Sequence, residues 1–285
     1  MTRLLLLPGD GIGPEITAAT RAVLGVADAR YGLGLEIEEQ AIGFAALQAH
    51  GTTIPQEVID AALAADGIVL GPVSHNAYPP VAEGGLNPSG VLRTRLDLFA
   101  NIRPARTREI LPPPAGRPFD IVIFRENTEG FYADRNMAQG PGEVMPDPDM
   151  ALALRKVSRR ACARIAEAAF AHAATRPAAH VTAVHKANVL RLSDGLFLEE
   201  TRRVAAAHPE IEYDEVLVDA MTAHLVREPG RFDVIVTTNM YGDILSDLAA
   251  ELSGSLGLAS SLNAGARHAM AQAQHGSAPD IAGSG

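Results

Sequence analysis

The chain has 285 residues, of which 47% are hydrophobic and 20% are charged, a balance that excludes a fully disordered chain and predicts about two globular domains. Its formal net charge of −10 repels nucleic acid and anionic lipid, so we expect neither as a partner. The single cysteine excludes an internal disulfide, and no apolar run approaches the ~20 residues of a membrane span, so we expect a soluble protein of the cytoplasm.

Short apolar runs alternate with longer amphipathic stretches, a pattern typical of an α/β fold. The predicted strands are, in chain order, 4–7, 68–70, 98–102, 121–124, 181–184, 213–218 and 234–237. The predicted helices begin at Pro14 and then span about 91–96, 150–174, 194–207, 220–227 and 243–252. We expect loops at 74–88 and 134–148, and a tail of small residues from Ser253 onward.

Polar side chains follow the last three predicted strands, at Lys186, Asp219 and Asn239. Ligands of open α/β sheets gather beyond the carboxyl ends of the strands, so these residues are candidates for chemistry. Burial would favour the neutral amine of Lys186 and make it a general base. The alternative is a strand-end lysine in solvent.

Asp243 and Asp247 are four residues apart in a predicted helix, so both carboxylates project from one face. Two oxygen ligands on one rigid face make half of a site for a hard cation such as Mg²⁺ or Mn²⁺. The same spacing fits a solvated acidic face, with Asp243 in the first helical turn, where a carboxylate favours the helix dipole. The spacing alone leaves both interpretations open.

Three arginines, Arg93, Arg103 and Arg125, lie at or near the ends of predicted elements. A guanidinium group binds a carboxylate through two parallel hydrogen bonds, so three of them suit a di- or tricarboxylate ligand. Pairing with acidic neighbours is the alternative for each of them. Tyr132 follows Arg125 by seven residues and is a candidate proton donor, although a phenol at the edge of a core is the commoner role.

Seven segments together carry a family resemblance. They are 7–15 (LPGDGIGPE), 92–104 with Leu92-Arg93 and Asp97–Pro104, 124–130 (FRENTEG), 185–188 (HKAN), 218–220 (VDA), 239–247 (NMYGDILSD) and 275–283 (HGSAPDIAG). In this order they resemble the isocitrate/isopropylmalate dehydrogenase family, the metal-dependent β-decarboxylating dehydrogenases. The resemblance runs over nearly the whole chain.

The resemblance implies a two-domain α/β fold distinct from the Rossmann fold. A first, cofactor-side domain would comprise 1–98 plus 253–285. A second domain, 99–252, would carry dimerisation, metal and substrate binding and include an arm near 134–148. The family resemblance also implies a homodimer whose active sites are shared between the subunits.

The resemblance further implies a role for each candidate side chain. Arg93, Arg103 and Arg125 would bind the carboxylates of a malate-type acid, with Asn87 and Ser89 beside them. Asp243 and Asp247, together with Asp219 of the partner subunit, would bind Mg²⁺ or Mn²⁺. Lys186, also from the partner, would be the general base, and Tyr132 would be the acid that protonates the enol product.

The segment from position 275 resembles the adenosine loop of the family. Its residues are His275, Gly276, Ser277, Ala278, Pro279, Asp280 and Ile281. NAD-using members place a carboxylate at the position of Asp280, whereas NADP-using members have Lys-Tyr at 280–281. A carboxylate would repel a 2′-phosphate, so the resemblance predicts NAD.

Two departures from the family pattern affect the expected substrate and the expected fold. Isopropylmalate-specific members have paired leucines where this chain has Ser89 and Gly90, so a smaller or more polar 3-substituent is favoured, as in isocitrate, malate or tartrate. The family also continues past 283 with further elements of the first domain. Either the sequence is incomplete, which we favour, or the C-terminal end of that domain is lacking here. The alternative to an enzyme is a non-catalytic regulatory or structural subunit of such a dehydrogenase.

Overall fold

The computed structural model describes residues 1–132, 140 and 142–284. Its strands are β1 (Thr2–Leu7), β2 (Leu35–Glu39), β3 (Gly67–Leu70), β4 (Ala100–Arg106), β5 (Asp120–Glu126), β6 (Glu143–Asp147), β7 (Met150–Ala153), β8 (His180–His185), β9 (Glu212–Leu217), β10 (Val234–Thr237), β11 (Ser260–Ala264) and β12 (Ala269–Ala273). Its α-helices are α1 (Gly13–Tyr31), α2 (Phe44–His50), α3 (Gln56–Ala64), α4 (Pro88–Arg95), α5 (Arg159–Ala173), α6 (Ser193–Ala207), α7 (Val218–Arg227) and α8 (Asn239–Ser253).

The chain forms two compact units. The first unit comprises Met1–Leu98 and Ser260–Gly285, and the second comprises Phe99–Ala259. The change of unit near the C-terminus thus falls seven residues after the predicted 252/253 boundary. The roles that we expect for the two domains are not visible in the fold and stay predictions.

The first unit has the strand order β2-β1-β3-β12-β11. All neighbours are parallel except β11 and β12. Leucine and isoleucine side chains of β1 and β3 pack against α3 and α4 in one core that includes Leu7, Ile59 and Leu92. Because β3 and β12 are parallel, their carboxyl ends lie at the same edge of the sheet, and Leu70 pairs with Gln272 there.

The second unit has the strand order β4-β5-β10-β8-β9, in which β4 alone is antiparallel to its neighbour. Val234, Ile235 and Val236 of the central strand β10 are fully buried, as a parallel strand covered by helices on both faces requires. The carboxyl ends of β5, β10, β8 and β9 therefore share one edge, and the polar residues that follow these strands are brought to it.

A β-hairpin replaces the start of the long helix that the sequence predicts at 150–174. Strands β6 and β7 form a separate antiparallel pair, and α5 begins only at Arg159, with Ser158 accepting a hydrogen bond from the Ala161 amide as its N-cap. The helix prediction was wrong because the apolar residues of β7 do not face the core of their own unit: all four are exposed. The predicted loop at 134–148 is also wrong over β6, and residues 133–139 and 141 lie outside the described residues.

Three further predictions are corrected. The tail from Ser253 contains the strands β11 and β12. Helix α4 begins at Pro88 rather than near residue 91, since Asn87 caps its first turn. Helix α8 begins at Asn239 rather than at residue 243, so Asp243 lies in the second turn and gains little from the helix dipole, whose effect is confined to the first turn.

None of the helices in the described part of the chain combines the length and the apolar character that crossing a membrane requires.

Candidate active site

A cluster of charged side chains lies where β4, β5 and α8 meet in the second unit. Arg103 is on β4, Arg125 is on β5, and Asp243 is on α8. Register explains part of the arrangement: Asn101 of β4 pairs with Arg125 of β5, which places Arg103 two residues along the neighbouring strand. We call Arg103, Arg125 and Asp243 the charged cluster.

Arg103 is buried and is held by four side chains. Its Nη1 donates to Oδ1 of Asp243 at 2.9 Å and to Oγ of Ser246 at 2.7 Å, and it lies 3.5 Å from Oδ1 of Asp247. Its Nε donates to Asn101 on the same strand. A guanidinium group fixed at both ends in this way presents its charge in one direction at little further entropic cost.

Arg125 is equally buried and contacts the same carboxylate. Its Nη1 donates to Asp243, while its Nε and Nη2 donate to Oδ1 of Asn239 at 2.9 and 2.7 Å. Helix α8 approaches β5 closely here, because a Cβ on Gly242 would lie 2.6 Å from the Cβ of Arg125. A larger residue at position 242 would displace the helix that carries Asp243.

Asp243 is therefore the acceptor at which two cations converge. Burial opposes its ionisation, but the charges of Arg125 and Arg103 outweigh that effect and hold the pKa of Asp243 below its ordinary value. Burial, together with the like charge of Arg103, lowers the pKa of Arg125 to about 10. Both partners thus remain charged at neutral pH.

Tyr132 completes this side of the site. Its hydroxyl donates to Oδ2 of Asp243 at 3.2 Å, and the guanidinium carbon of Arg125 lies 5.8 Å from the centre of its ring. The predicted proton donor is therefore beside both a carboxylate and a cation.

Asp247 lies one helical turn after Asp243, and its side chain is 54% exposed. The two carboxylates offer oxygen atoms, the ligands that Mg²⁺ and Mn²⁺ prefer, and α8 presents them on one face as the spacing predicts. Within the described residues of this one chain, no three acidic, histidine or cysteine side chains gather to hold a metal. A cation at this position would need further ligands from water, from a bound acid or from a second chain.

Lys186 and Asp219 form a second pair in the second unit. The register of the parallel strands β8 and β9 pairs His185 with Leu217, so the residues just beyond each strand are neighbours, and the Lys186 ammonium donates to Oδ1 of Asp219. This hydrogen bond holds the pKa of Asp219 below its ordinary value. The side chain of Asp219 is 65% exposed and that of Lys186 is 26% exposed, so both are accessible.

A buried ion pair that the sequence did not predict anchors the Lys186 loop. Asp194, which is fully buried, accepts the backbone N–H of Lys186 at 2.6 Å and pairs with Arg155. Arg155 in turn donates to Oγ1 of Thr238 at 2.9 Å and lies over the ring of Tyr241. An acidic residue at the start of α6, eight residues after Lys186, was the only signal available.

The first unit holds a second arrangement, formed by Arg93 and the neutral amide of Gln272. Arg93 and Ser89 are four residues apart on α4, and both donate to Oε1 of Gln272 on β12, at 3.3 and 3.1 Å. The side-chain oxygen of Asn87 caps α4 through the Gly90 amide at 3.3 Å. Sequence reasoning missed Gln272, since no local pattern connects position 272 to positions 89 and 93.

The predicted cofactor segment is joined to the turn that follows β1. The backbone oxygen of Ser277 accepts the Ile12 amide at 2.9 Å, and its hydroxyl lies 2.7 Å from that of Ser74. Gly11 has a φ of +57°, and a Cβ there would lie 2.0 Å from the Ser277 oxygen, so only glycine fits this contact. Asp280 is exposed at the end of the segment, where a ligand could reach its carboxylate.

Comparison with known proteins places this geometry in context. A family model described as isocitrate/isopropylmalate dehydrogenase matches residues 3–285. The isocitrate/homoisocitrate dehydrogenase of Thermus thermophilus is 43% identical over 285 residues, which cover 99% of this chain and 80% of that protein. The 3-isopropylmalate dehydrogenase of Saccharolobus solfataricus is 39% identical, covering 99% and 79%.

A solved structure is also similar. The crystal structure of isocitrate dehydrogenase from Methylococcus capsulatus superposes with a TM-score of 0.87 at 40% sequence identity, covering 100% of this chain and 80% of that one. The α/β fold predicted from the sequence, with its large and mostly parallel sheet, is confirmed.

Proposed function

We propose a function for this chain from the family to which it belongs, the isocitrate/isopropylmalate dehydrogenases. It catalyses the NAD-dependent oxidative decarboxylation of a 3-substituted (2R)-malate with Mg²⁺ or Mn²⁺. The substrate would be of the isocitrate, isopropylmalate, malate or tartrate class. The single observation that carries the proposal is the charged cluster, in which Arg103 and Arg125 converge on the carboxylate of Asp243.

The Asp243 carboxylate accepts hydrogen bonds from the N–H groups of Arg103 and Arg125 that a carboxylate of the acid would use. The bidentate geometry of guanidinium groups suits either partner. With Asp247 included, the cluster carries two positive and two negative charges. A malate dianion and a divalent cation together add no net charge, so they can enter as a pair without leaving a buried charge uncompensated.

Asp243 and Asp247, with the partner subunit's Asp219, would hold the metal ion, and their carboxylate oxygens fit Mg²⁺ or Mn²⁺. When bound, the ion supplies Lewis acidity, which favours loss of the 2-hydroxyl proton and stabilises the negative charge that develops as CO₂ leaves. Arg103 and Arg125 would orient the acid by binding its carboxylates.

Lys186 and Tyr132 would move the protons. The amine of the partner subunit's Lys186 would accept the proton of the 2-hydroxyl, and the hydroxyl of Tyr132 would return a proton to C3 after CO₂ has left. In the structure the Lys186 ammonium donates a hydrogen bond to Asp219.

The segment from His275 to Ile281 would bind the cofactor, and NAD⁺ supplies the acceptor for the hydride from C2. Asp280 is exposed and carboxylate-bearing, as recognition of ribose hydroxyls requires. The same charge would repel the 2′-phosphate of NADP⁺, so we propose NAD as the cofactor.

The exposed hairpin β6–β7 supports a homodimer with shared active sites. Met145, Met150, Leu152 and Leu154 are each at least 49% exposed, and adjacent exposed apolar residues of this kind mark an interaction surface. A second copy of the chain is the partner we propose for it.

The proposal is tested by incubating the purified protein with NAD⁺, a divalent cation and a panel of 3-substituted malates, while the absorbance of NADH is followed. We expect turnover of at least one acid and none in the presence of a chelator. If the folded dimer turns over no acid, the enzymatic proposal fails and a non-catalytic subunit is favoured.

A further inference from the structure

Gln272 lies at the carboxyl end of β12, in the interior of the first unit's sheet between β3 and β11. Its neighbour on the same face of the strand, Met270, is fully buried. The backbone from which the side chain of Gln272 projects is therefore firmly held. Met270 also pairs with Asn263 of β11, which brings a second side-chain amide to the same place.

The Gln272 amide oxygen accepts from three groups. Ser89 Oγ lies at 3.1 Å, Arg93 Nη2 at 3.3 Å and Asn263 Nδ2 at 3.4 Å. Arginine only donates, and Asn263 Nδ2 also donates to the Met270 backbone oxygen at 3.3 Å. These partners require the oxygen of Gln272 to face them, which fixes the orientation of the amide.

The other end of the amide therefore carries two N–H donors away from these three groups. Within the described residues they meet no protein acceptor, and Gln272 is only partly buried, so a ligand can reach them. An alkyl group bound beside these N–H donors would leave them without a hydrogen-bond acceptor. A hydroxyl or carboxylate group of the ligand would accept hydrogen bonds from them.

We propose that Gln272 is a specificity-determining residue, which orients Ser89 and Arg93 and donates a hydrogen bond to an oxygen of the 3-substituent. The inference rests on the proposed function and on the family resemblance, which implies that Ser89 and Arg93 bind the acid. It narrows the substrate class to malates whose 3-substituent carries a hydroxyl or carboxylate and disfavours a branched alkyl group.

The test compares Gln272→Leu with the wild type, using isocitrate and tartrate as polar acids and 3-isopropylmalate as the alkyl acid. We expect the ratio of kcat/KM for the better polar acid to that for the alkyl acid to fall by about 10- to 100-fold, as expected when polar recognition groups are removed.

Gln56→Leu on α3 is the matched control, because Gln56 is exposed and, among the described residues, its side chain bonds to Asp60 of its own helix. A ratio that does not change in Gln272→Leu, or that changes equally in Gln56→Leu, would overturn the inference while leaving the proposed function intact. If the wild type turns over no acid, calorimetric binding of the same acids to both proteins decides the question: equal affinity ratios would overturn it.

Discussion

The two candidate ligand-binding arrangements hold their arginines in opposite ways. In the second unit Arg103 and Arg125 contact a carboxylate, that of Asp243. In the first unit Arg93 donates to a neutral amide, that of Gln272. One arrangement is built from charge, and the other from the direction of hydrogen bonds.

The difference teaches what each arrangement can distinguish. Opposite charges attract over several ångströms, so the arginines of the charged cluster bind any anion of suitable size. The charged cluster therefore suits the part of the acid that all malates share. Hydrogen bonds depend strongly on geometry and leave a buried group unsatisfied when the ligand lacks the matching atom. The arrangement around Gln272 therefore suits the part of the acid that varies.

The largest effect is expected from breaking the charged cluster. Asp243→Asn keeps the shape of the side chain but removes one proposed metal ligand and the counter-charge of two buried arginines. We expect kcat to fall by about 10³-fold or more, in line with the loss of Lewis-acid and charge stabilisation. Steady-state kinetics, with circular dichroism to confirm folding, measure it.

Asp60→Asn on the exposed surface of α3 is the control for this substitution and should leave kcat unchanged. A kcat within about threefold of the wild type in Asp243→Asn would remove this residue from the metal site.

A smaller effect is expected where the first unit presents a charge to the cofactor. Asp280→Lys combined with Ile281→Tyr removes the repulsion of a 2′-phosphate and adds a cation. We expect the ratio of kcat/KM for NAD⁺ to that for NADP⁺ to fall by about 10-fold, since each of the two charge changes contributes roughly 0.7 kcal/mol at an exposed site. The two rates, measured at one fixed acid concentration, give the ratio, and an unchanged ratio contradicts the NAD proposal.

The smallest effect is the dependence of stability on pH. The pKa of Asp243 is lowered in the folded chain, so the unfolded chain takes up the proton first as the pH falls, and the stabilisation by this carboxylate is lost toward acid pH. We expect Asp243→Asn to reduce the free energy of unfolding by about 2 kcal/mol at pH 7, because two buried arginines lose their counter-charge. Partial exposure of the Asp243 side chain to solvent limits the size of this loss.

This difference should be constant above about pH 5 and shrink below about pH 4, near the ordinary pKa of an aspartate. Urea unfolding at several pH values measures it. Gln272→Leu is the comparison from the first unit, and its difference from the wild type should not vary with pH, because no titratable group is changed. A difference for Asp243→Asn that grows toward acid pH would contradict the assignment.

Much of the fold was accessible from the sequence because apolar runs mark buried parallel strands. The prediction for β10 at 234–237 was confirmed residue for residue. Strand β12, with the sequence AMAQA, has weak β-propensity, and its place between β3 and β11 comes from tertiary pairing that no local pattern shows. The same limit explains the false helix at 150–174, whose first apolar residues form an exposed hairpin.

The candidate site was accessible to a different extent. Arg103, Arg125 and Asp243 were selected from the sequence, and the structure brings them together. Their mutual pairing was only one of the alternatives, because spacing along the chain does not show which side chain receives an arginine from another strand. Gln272 was missed because its partners Ser89 and Arg93 are far away in the sequence. Asp194 was missed because it acts through the backbone N–H of Lys186.

The most direct test of the central claim, that the charged cluster of one chain acts with Lys186 and Asp219 of a second chain, is to mix two inactive variants. Lys186→Ala and Asp243→Asn are each expected to be inactive as pure proteins. When they are unfolded together and refolded, half of the dimers are mixed and each mixed dimer has one intact site, so activity should return to about one quarter of the wild-type value. A mixture that stays inactive, although mixed dimers have formed, would contradict the claim.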